Sequence, residues 1–315
     1  NPNLTWEKAR KTNVGFDATL FNGKLTIAAD YFREHRYDII TTLSDGDKMG
    51  YPDIVGKDAP FVNSGIVDNQ GIDFELGWNS TIGKDFRYYI KPNFTFARNK
   101  IKFMNEVDYG NEYRQKTGRR LGEHVVYKDL NQDGKIDDYG DRTHMGFPRT
   151  PEIQFGIPFG IQYKGFDVSV MFQGSLNSSI LLNGAAVWDF PSYEQDQYGK
   201  VKHMHLNRWT EATKDVATYP RLTYGAYENN KNGNSSLFLY NANYIRLKNL
   251  EVGYSLPKNI IRFAGLQNVR FYVQGLNLLT FDSLDDVDMD PETKEGSGDW
   301  YPIQRVYNFG VEITY

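Results

Sequence analysis

The chain has 315 residues, 24% charged and 15% aromatic, and its 36 basic and 40 acidic side chains give a formal charge of -4. No stretch supplies the roughly 20 consecutive apolar residues of a membrane-spanning helix, the charge balance provides no basic field for nucleic acid, and the absence of cysteine excludes disulfide frameworks and thiolate chemistry. The 22 tyrosines, 20 phenylalanines and 29 glycines favour strands and turns, so the predicted class is all-β.

Apolar and polar residues alternate with a period of two in nine segments, which predicts strands with one apolar and one polar face. In chain order the segments lie at about 14–20, 25–31, 72–78, 88–96, 153–163, 166–173, 240–256, 269–274 and 307–315. Asn22-Gly23 and Lys164-Gly165 predict tight hairpin turns. Pro92 and Pro158 lie inside segments and lack a ladder donor, so we expect a bulge or break at each.

The predicted connections alternate in length. Those at 22–24, 79–84, 164–165 and 257–266 are short, and those at 41–65, 104–151, 176–238 and 282–302 are long. Short turns on one side and long loops on the other are typical of outer-membrane β-barrels, whose long loops are extracellular. The last strand then ends in the periplasm. Because such barrels normally close with an even number of strands, nine segments predict the last portion of a larger barrel.

Several runs of residues occur in an order that is specific to one family. They are NPNLTWE from Asn1, TNVG from Thr12, NGKLT from Asn22, DYF from Asp30, NQGID from Asn69, NRWT from Asn207, YPRL from Tyr219, NYIRLKNL from Asn243, GYSLP from Gly253 and YPIQR from Tyr301. Together they resemble the C-terminal barrel region of the SusC/RagA family of TonB-dependent outer-membrane transporters of Bacteroidetes.

The resemblance implies a fold and a set of partners. Residues 1–315 would form the C-terminal portion, about nine antiparallel strands, of a transmembrane barrel with about 22 strands when complete, with the N-terminal plug absent from this chain. The implied partners are a SusD-like surface lipoprotein acting as a lid, the TonB complex through the missing N-terminal part, outer-membrane lipid, and a second transporter–lipoprotein pair in a dimer. The implied function is import of oligosaccharides or peptides across the outer membrane of a Gram-negative bacterium, without enzymatic chemistry.

Two other functions remain open from the residues alone. One is a secreted or surface Ca²⁺-binding β-domain that binds or cleaves polysaccharide, although it leaves the apolar strand faces without a core. The other is a plugless porin or adhesin barrel, which would differ in the sequence preceding Asn1.

The second long loop contains an EF-hand-like run that places oxygen ligands at alternate positions around Gly134, an arrangement suited to Ca²⁺. The candidate ligands are Asp129, Asn131, Asp133, Lys135 through its carbonyl, Asp137 and Asp141. Gly140 stands where the bidentate glutamate belongs, so Asp138 or Asp141 would have to substitute for it. The alternative is a cluster of Asx turns without metal.

Aromatic and histidine side chains in the long loops are candidates for contacts. Trp188, Tyr193, Trp209 and Trp300 either bind substrate or the lid protein, or anchor the packing of the loops. His203 and His205 would share one face of an extended segment as a transition-metal pair, but solvated loop histidines are the better-supported interpretation.

Carboxylates on the polar strand faces, namely Asp73, Glu75, Asp167 and Glu312, are expected to line and hydrate a lumen or to contact a plug. No catalytic triad is assembled by spacing. The alternating apolar residues at the end of the chain are Tyr307, Phe309, Val311, Ile313 and Tyr315. They resemble the signal that barrel-assembly machinery recognises, although an ordinary amphipathic strand also explains the alternation.

Overall fold

The computed structural model describes residues 1–42, 56, 60–106, 110–133, 136, 139–187, 201–222, 234–293, 296–298 and 300–315. Its strands, in chain order, are β1 (Lys8–Leu20), β2 (Leu25–Thr42), β3 (Phe61–Ile82), β4 (Phe86–Ile90), β5 (Asn93–Phe103), β6 (His124–Tyr127), β7 (Arg142–Met145), β8 (Ile153–Tyr163), β9 (Phe166–Leu176), β10 (Ser179–Leu181), β11 (Leu239–Asn241), β12 (Tyr244–Ser255), β13 (Asn268–Phe281) and β14 (Val306–Thr314).

Ten strands form one antiparallel sheet in the order β1-β2-β3-β4-β8-β9-β12-β13-β14, with β5 pairing with β3 and β8. Because β4 and β5 continue one path across the sheet, the sheet has nine paths, which confirms the predicted all-β class and strand number. β6 pairs with β7 and β10 with β11 inside long connections. Among the described residues, no helix is both long and apolar enough to cross a membrane.

The described helical segments are short. A four-residue α-helix, α1 (Lys258–Ile261), lies between β12 and β13. The 3-10 turns are Glu112–Arg114, Tyr139–Asp141, Gly184–Ala186, His203–Asn207, Ser236–Phe238, Arg262–Ala264 and Asp285–Val287.

The pairing register keeps all the apolar alternations on one face of the sheet, because directly opposed residues point to the same side. One row across the sheet consists of Val14, Tyr31, Ile72, Phe96 and Ile153. Another consists of Tyr163, Phe166, Tyr254, Phe271 and Val311. Many large apolar side chains on this face are exposed, up to 79% for Phe309. An exposed apolar face of this extent fits contact with hydrocarbon.

Aromatic rings concentrate on this face next to the short turns. The rings of Phe166 and Tyr254 lie 4.4 Å apart, and those of Phe86 and Tyr163 lie 6.2 Å apart. Aromatic side chains are typical of the level where a barrel passes from hydrocarbon to headgroups. A row of aromatic side chains therefore lies at the short-turn end of the apolar band.

The two strand prolines behave differently. The path breaks between Ile90 and Asn93, so the break predicted at Pro92 is confirmed. The break predicted at Pro158 is wrong, since β8 continues through this residue and pairs it with Met171. The Pro158 carbonyl accepts a hydrogen bond of 2.8 Å from the Lys91 N–H. The backbone N and C=O of a strand residue face the same neighbouring strand. Pro158 therefore lacks an N–H donor only on the side of the gap that Pro92 opens in the sheet.

The long and short connections alternate as predicted, but β2 and β3 extend beyond their predicted segments into the first long connection. Their additional length carries charges that pair with one another, both between the two strands and within β2. Arg33 Nη2 lies 3.1 Å and His35 Nδ1 lies 2.6 Å from the Asp68 carboxylate, and Arg36 Nη2 lies 2.7 Å from the Glu34 carboxylate. The hairpin therefore continues past the apolar band as a polar ribbon, where alternation no longer marks the strand.

The third and fourth long connections fold onto a common apolar core. Its buried members are Ile180, Leu182, Ala186, Val187, Met204, Tyr219, Phe238, Ala242, Leu284 and Val287. These residues come from both sides of β12 and β13 in the sequence, so the two connections are packed against each other. The described parts of the loops thus form a structured layer at one end of the sheet.

The assignment of the two sheet faces predicts unequal effects of one substitution on the free energy of unfolding at two adjacent positions. Val170 lies in an apolar row between Phe159 and Leu250, and Ser169 points to the polar face. In the full-length protein in bilayers, Val170→Lys should lower the free energy of unfolding by about 2–4 kcal/mol because it inserts a charge into hydrocarbon. Ser169→Lys is the matched control and should change it little. Equal losses in denaturant unfolding experiments would contradict the assignment.

Candidate functional site at the long-loop end

A cavity of about 650 Å³ lies on the polar face of the sheet where the long connections begin. The sheet contributes Thr95, Gln154, Gln173 and Tyr244, and the fourth long connection contributes Glu292. Neutral amide and hydroxyl groups dominate the sheet side of this wall. The cavity therefore offers many hydrogen-bonding groups and little uncompensated charge.

One buried arginine joins the sheet to the fourth long connection. Arg246 on β12 is only 1% exposed. Its Nη1 lies 2.8 Å from Glu292 Oε2, its Nη2 lies 2.5 Å from Asp290 Oδ2, and its Nε donates to Thr280 Oγ1 at 3.0 Å. The Glu292 carboxylate also accepts hydrogen bonds from Tyr244 at 2.5 Å and Gln173 at 3.0 Å. Both carboxylates are thus compensated where they approach the cavity.

The side chain of a second arginine binds the backbone of the same turn. Arg149, in the second long connection, donates to the carbonyls of Pro291, at 2.8 Å, and Thr293. Burial lowers the pKa of Arg149 from its ordinary value, and the nearby Asp290 carboxylate opposes this shift. The turn 290–293 is therefore held by side-chain contacts from the sheet and backbone contacts from another loop.

A neighbouring cavity of about 480 Å³ is bounded by a second buried carboxylate. Glu152 is 4% exposed and lies 2.7 Å from Arg98 Nη2 and 3.0 Å from Arg120 Nη1. Burial raises the pKa of Glu152, but hydrogen bonds from Arg98, Arg120 and Asn177 outweigh it and the pKa falls below its ordinary value. The carboxylate is held ionised, so it fixes the second loop to β5 rather than exchanging protons.

The predicted polar-face carboxylates take structural partners. Asp73 accepts a hydrogen bond of 2.7 Å from Thr95. Asp167 and Glu312 both approach Arg270, at 2.5 and 3.9 Å, and Glu251 lies 2.5 Å from the same guanidinium. Glu75 is placed opposite Ala28 and Asn93 in the sheet. Asp73, Asp167 and Glu312 therefore link strands of the wall.

The EF-hand-like run is only partly described, because Lys135 and Asp137 lie outside the described residues. Asp129 Oδ1 accepts from Gln132 N at 2.6 Å, and Asn131 Oδ1 accepts from Asp133 N at 3.0 Å, as in Asx turns. Asp141 is 2% exposed, and its Oδ1 accepts from Leu130 N at 3.2 Å. No group of three or more acidic or histidine side chains that could hold a metal occurs among the described residues.

The predicted aromatic contacts divide into two groups. Trp188 and Tyr193 lie outside the described residues. Trp209 and Trp300 are 43% and 45% exposed in the third and fourth connections. The Trp209 N–H of the backbone donates to Tyr219 O at 2.7 Å, which attaches it to the loop core. Both indoles are therefore partly exposed, and their contact with substrate or with the lid protein stays a prediction.

The histidine pair does not lie on an extended segment. His203 and His205 lie in a 3-10 turn, and His205 is fully buried. Its Nδ1 accepts from Lys202 N and its Nε2 contacts Val187 O, both at 2.9 Å. The expectation of solvated histidines is wrong for His205, because its two nitrogens satisfy backbone groups inside the loop core.

Sequence reasoning missed Arg246, Asp290, Glu292 and Arg149. The available signal was a charged residue at a polar-face position of an otherwise apolar segment, in the run YIRL from Tyr244. Its partners are 44 and 46 residues away, so local spacing does not identify them.

Comparison with known proteins places this arrangement in a family. Residues 1–278 match the family model described as TonB dependent receptor-like, beta-barrel. The TonB-dependent receptor P3 of Formosa agariphila is 27% identical over 100% of this chain and 35% of its own length. The TonB-dependent receptor SusC of Bacteroides thetaiotaomicron is 23% identical over 100% of this chain and 32% of its own length.

Solved structures agree on the fold. A chain of the RagAB peptide importer in the open-open state superposes with a TM-score of 0.73 at 24% identity, covering 100% of this chain and 35% of that one. In the closed-closed state the TM-score is 0.71 at 23% identity, covering 100% and 36%. The chain thus spans about a third of the length of the curated relatives it matches. It belongs to the TonB-dependent receptor β-barrel family, as an outer-membrane protein of the SusC/RagA type from a Gram-negative bacterium.

Proposed function

We propose that the whole protein imports oligosaccharides or peptides across the outer membrane, and that this chain supplies the C-terminal wall of the barrel and four of its surface loops. The observation that carries the proposal is the cavity at the long-loop end, walled by neutral hydrogen-bonding groups on the polar face of a sheet whose other face is apolar. A polar path inside an apolar exterior suits a hydrophilic solute crossing a membrane. The names of the relatives support the same class, since one is SusC and another belongs to a peptide importer.

The work of import would come from outside this chain. In the proposal, a plug and a TonB-contacting segment belong to the part of the protein that precedes these residues, and the barrel wall performs no covalent chemistry. Within the described residues, several charged groups of the polar face form ion pairs that brace the wall, such as Arg270 with Asp167. A passive wall of this kind orients solute without reacting with it.

We further propose that a SusD-like surface lipoprotein covers the long loops as a lid, and that the transporter–lipoprotein pair forms a dimer with a second pair. The exposed indoles of Trp209 and Trp300 support a contact at this end. Trp188 and Tyr193 remain predicted contacts in the same loops. Indole rings are enriched among residues that dominate protein interfaces and also stack on sugars.

The import proposal predicts that a deletion strain loses uptake of one solute class. Pools of neutral oligosaccharides and of short peptides would be supplied separately, and depletion from the medium would be followed by mass spectrometry. Complementation with the full-length gene should restore uptake, and a protonophore should abolish it.

Trp209→Ala should lower uptake by tenfold or more, because a loss of about 1.4 kcal/mol in the affinity for the lid protein corresponds to a factor of ten.

The matched control is Phe263→Ala, which removes an exposed ring at the short-turn end, 89% exposed, and should leave uptake unchanged. Depletion of both pools by the deletion strain at the wild-type rate would refute the import proposal. Equal uptake by the Trp209→Ala and wild-type strains would remove Trp209 from the proposed lid surface.

We also propose that the run from Asp129 to Asp141 holds a structural Ca²⁺ ion, with Asp129, Asn131, Asp133, Lys135, Asp137 and Asp141 as ligands. The contact between Asp141 and Leu130 N supports this, because it closes the loop one residue after Gly140, which stands where the usual glutamate is missing. Calcium favours several oxygen ligands and tolerates a variable coordination geometry. The ion would fix the fold of the second long loop.

The calcium proposal predicts that Asp129→Asn/Asp133→Asn removes about one Ca²⁺ per chain from the purified full-length protein, because two carboxylate ligands are lost. Bound metal would be measured by mass spectrometry after gel filtration. Asp215→Asn, an exposed acid in the third connection, is the control. Unchanged calcium in the double variant would leave the Asx-turn cluster as the correct interpretation.

The last strand suggests a role in assembly. The side chains of Tyr307, Phe309, Val311, Ile313 and Tyr315 are all more than half exposed on the edge strand β14 and at its end. We propose that this row is the signal that barrel-assembly machinery recognises. Before the barrel closes, a strand that still lacks one neighbour has unpaired backbone groups, which suits it to recognition by strand addition.

Deleting Tyr315 should therefore reduce the amount of folded protein in the outer membrane several-fold while export to the periplasm stays normal. Heat-modifiable gel mobility would measure folding, and fractionation would measure export. Replacing Tyr315 with Phe, which keeps the ring, should restore assembly. Normal assembly of the deletion variant would reduce the row to an ordinary amphipathic strand.

A further inference from the structure

The turn 290–293 of the fourth long connection lies against the polar face of the sheet instead of extending away from it. The turn is internally closed, because Asp290 Oδ1 accepts from Glu292 N at 2.8 Å and Asp290 O accepts from Thr293 N at 3.0 Å. Pro291, Glu292 and Thr293 all line the 650 Å³ cavity. This short turn is therefore one side of the cavity, and the strands are the other.

Arg246 binds the two carboxylates of the turn, while Arg149 binds the backbone carbonyls of Pro291 and Thr293. The Arg246 guanidinium reaches both carboxylates of the turn, at 2.5 and 2.8 Å, from the polar face at the long-loop end of β12. A guanidinium is matched to such a task because its fork of donors binds two acceptors at once. Removing one partner of a buried ion pair leaves an uncompensated charge, which strongly destabilises the arrangement.

Lys248 provides an internal comparison on the same strand. Its Nζ lies 3.9 Å from Glu292 Oε2, and its side chain is 31% exposed. It reaches only one of the two carboxylates, and the distance exceeds that of a hydrogen bond. Lys248 therefore adds charge near the turn without fixing its position.

We propose that the turn 290–293 is a fixed constriction of the transport path, and that Arg246 is the positioning residue that holds it over the polar face. The description of the cavity as part of a transport path rests on the proposed import function. The constriction limits access to the cavity whether or not the solute is transported. It means that the size of solute reaching the strand wall is limited by the position of Glu292 and its neighbours.

Access can be measured without any substrate, because this chain has no cysteine. Gln154, an exposed residue of the cavity wall, would be changed to cysteine in the full-length transporter, expressed in its outer membrane. Labelling rates would be compared for N-ethylmaleimide and for a maleimide carrying a polyethylene glycol chain. The same transporter without Gln154→Cys measures labelling of any thiol elsewhere in the protein.

With Arg246 in place, the small reagent should label Cys at this position much faster than the large one. Adding Arg246→Met should raise the rate for the large reagent by tenfold or more and leave the small-reagent rate within about twofold, because only the width of the entrance changes. Lys248→Met is the matched control and should preserve the wild-type ratio of rates. Arg246→Lys should give an intermediate ratio, since an ammonium cannot bind both carboxylates as a fork.

A variant that removes all three charges guards against misfolding caused by unpaired carboxylates. Arg246→Met/Asp290→Asn/Glu292→Gln leaves no unpaired carboxylate in the turn and should assemble while losing the same size discrimination. An unchanged ratio of rates in an assembled variant lacking Arg246 overturns the proposal, and so does an equal change in Lys248→Met. Because labelling needs no solute uptake, these outcomes are independent of a failure to detect import.

Discussion

The structure depends on one constraint, which is that backbone N–H and C=O groups inside a membrane must find partners within the protein. An antiparallel ladder meets it while turning one face to hydrocarbon, and the register here keeps apolar residues on that face through nine successive paths. The backbone around the two strand prolines also satisfies this constraint. Pro158 lacks a donor only towards the gap beside Pro92, so β8 remains continuous and the Lys91 N–H finds the Pro158 carbonyl.

The same constraint explains which parts of the fold the sequence predicts. Inside the apolar band the two faces meet opposite solvents, so alternation is strong and the segments from Ile153 to Tyr163 and from Phe166 onward were located closely. Above the band both faces of the sheet meet water. The ends of β2 and β3 there carry charges such as Arg36 and Asp68, and apolar and polar residues no longer alternate regularly along them. Those strand ends were missed because ladder hydrogen bonds and cross-strand ion pairs, rather than burial, stabilise them.

The candidate site was predictable only where its contacts are local. Spacing located the turn of Asp129 and Asn131, whose hydrogen-bond acceptors and donors are two or three residues apart. It gave no indication that Arg246 would reach Asp290, since that contact requires the fourth connection to fold back on the sheet. The prediction of a solvated side chain was wrong for His205 for the same reason, because its burial depends on Val187 and Tyr219 from other parts of the loop core.

The charged groups of the polar face fall into two kinds that do different work. Near the short turns, Arg270 joins Asp167 on β9 to Glu251 on β12, so this pairing links strand to strand. Near the long loops, Arg246 joins β12 to the carboxylates of a connection. Strand-to-strand pairs stiffen a wall whose shape the ladder already determines, whereas a strand-to-loop pair determines a shape that no ladder specifies. The geometry of the wall at the loop end therefore depends on a few ion pairs, and the proposed constriction depends on the pairs that Arg246 makes.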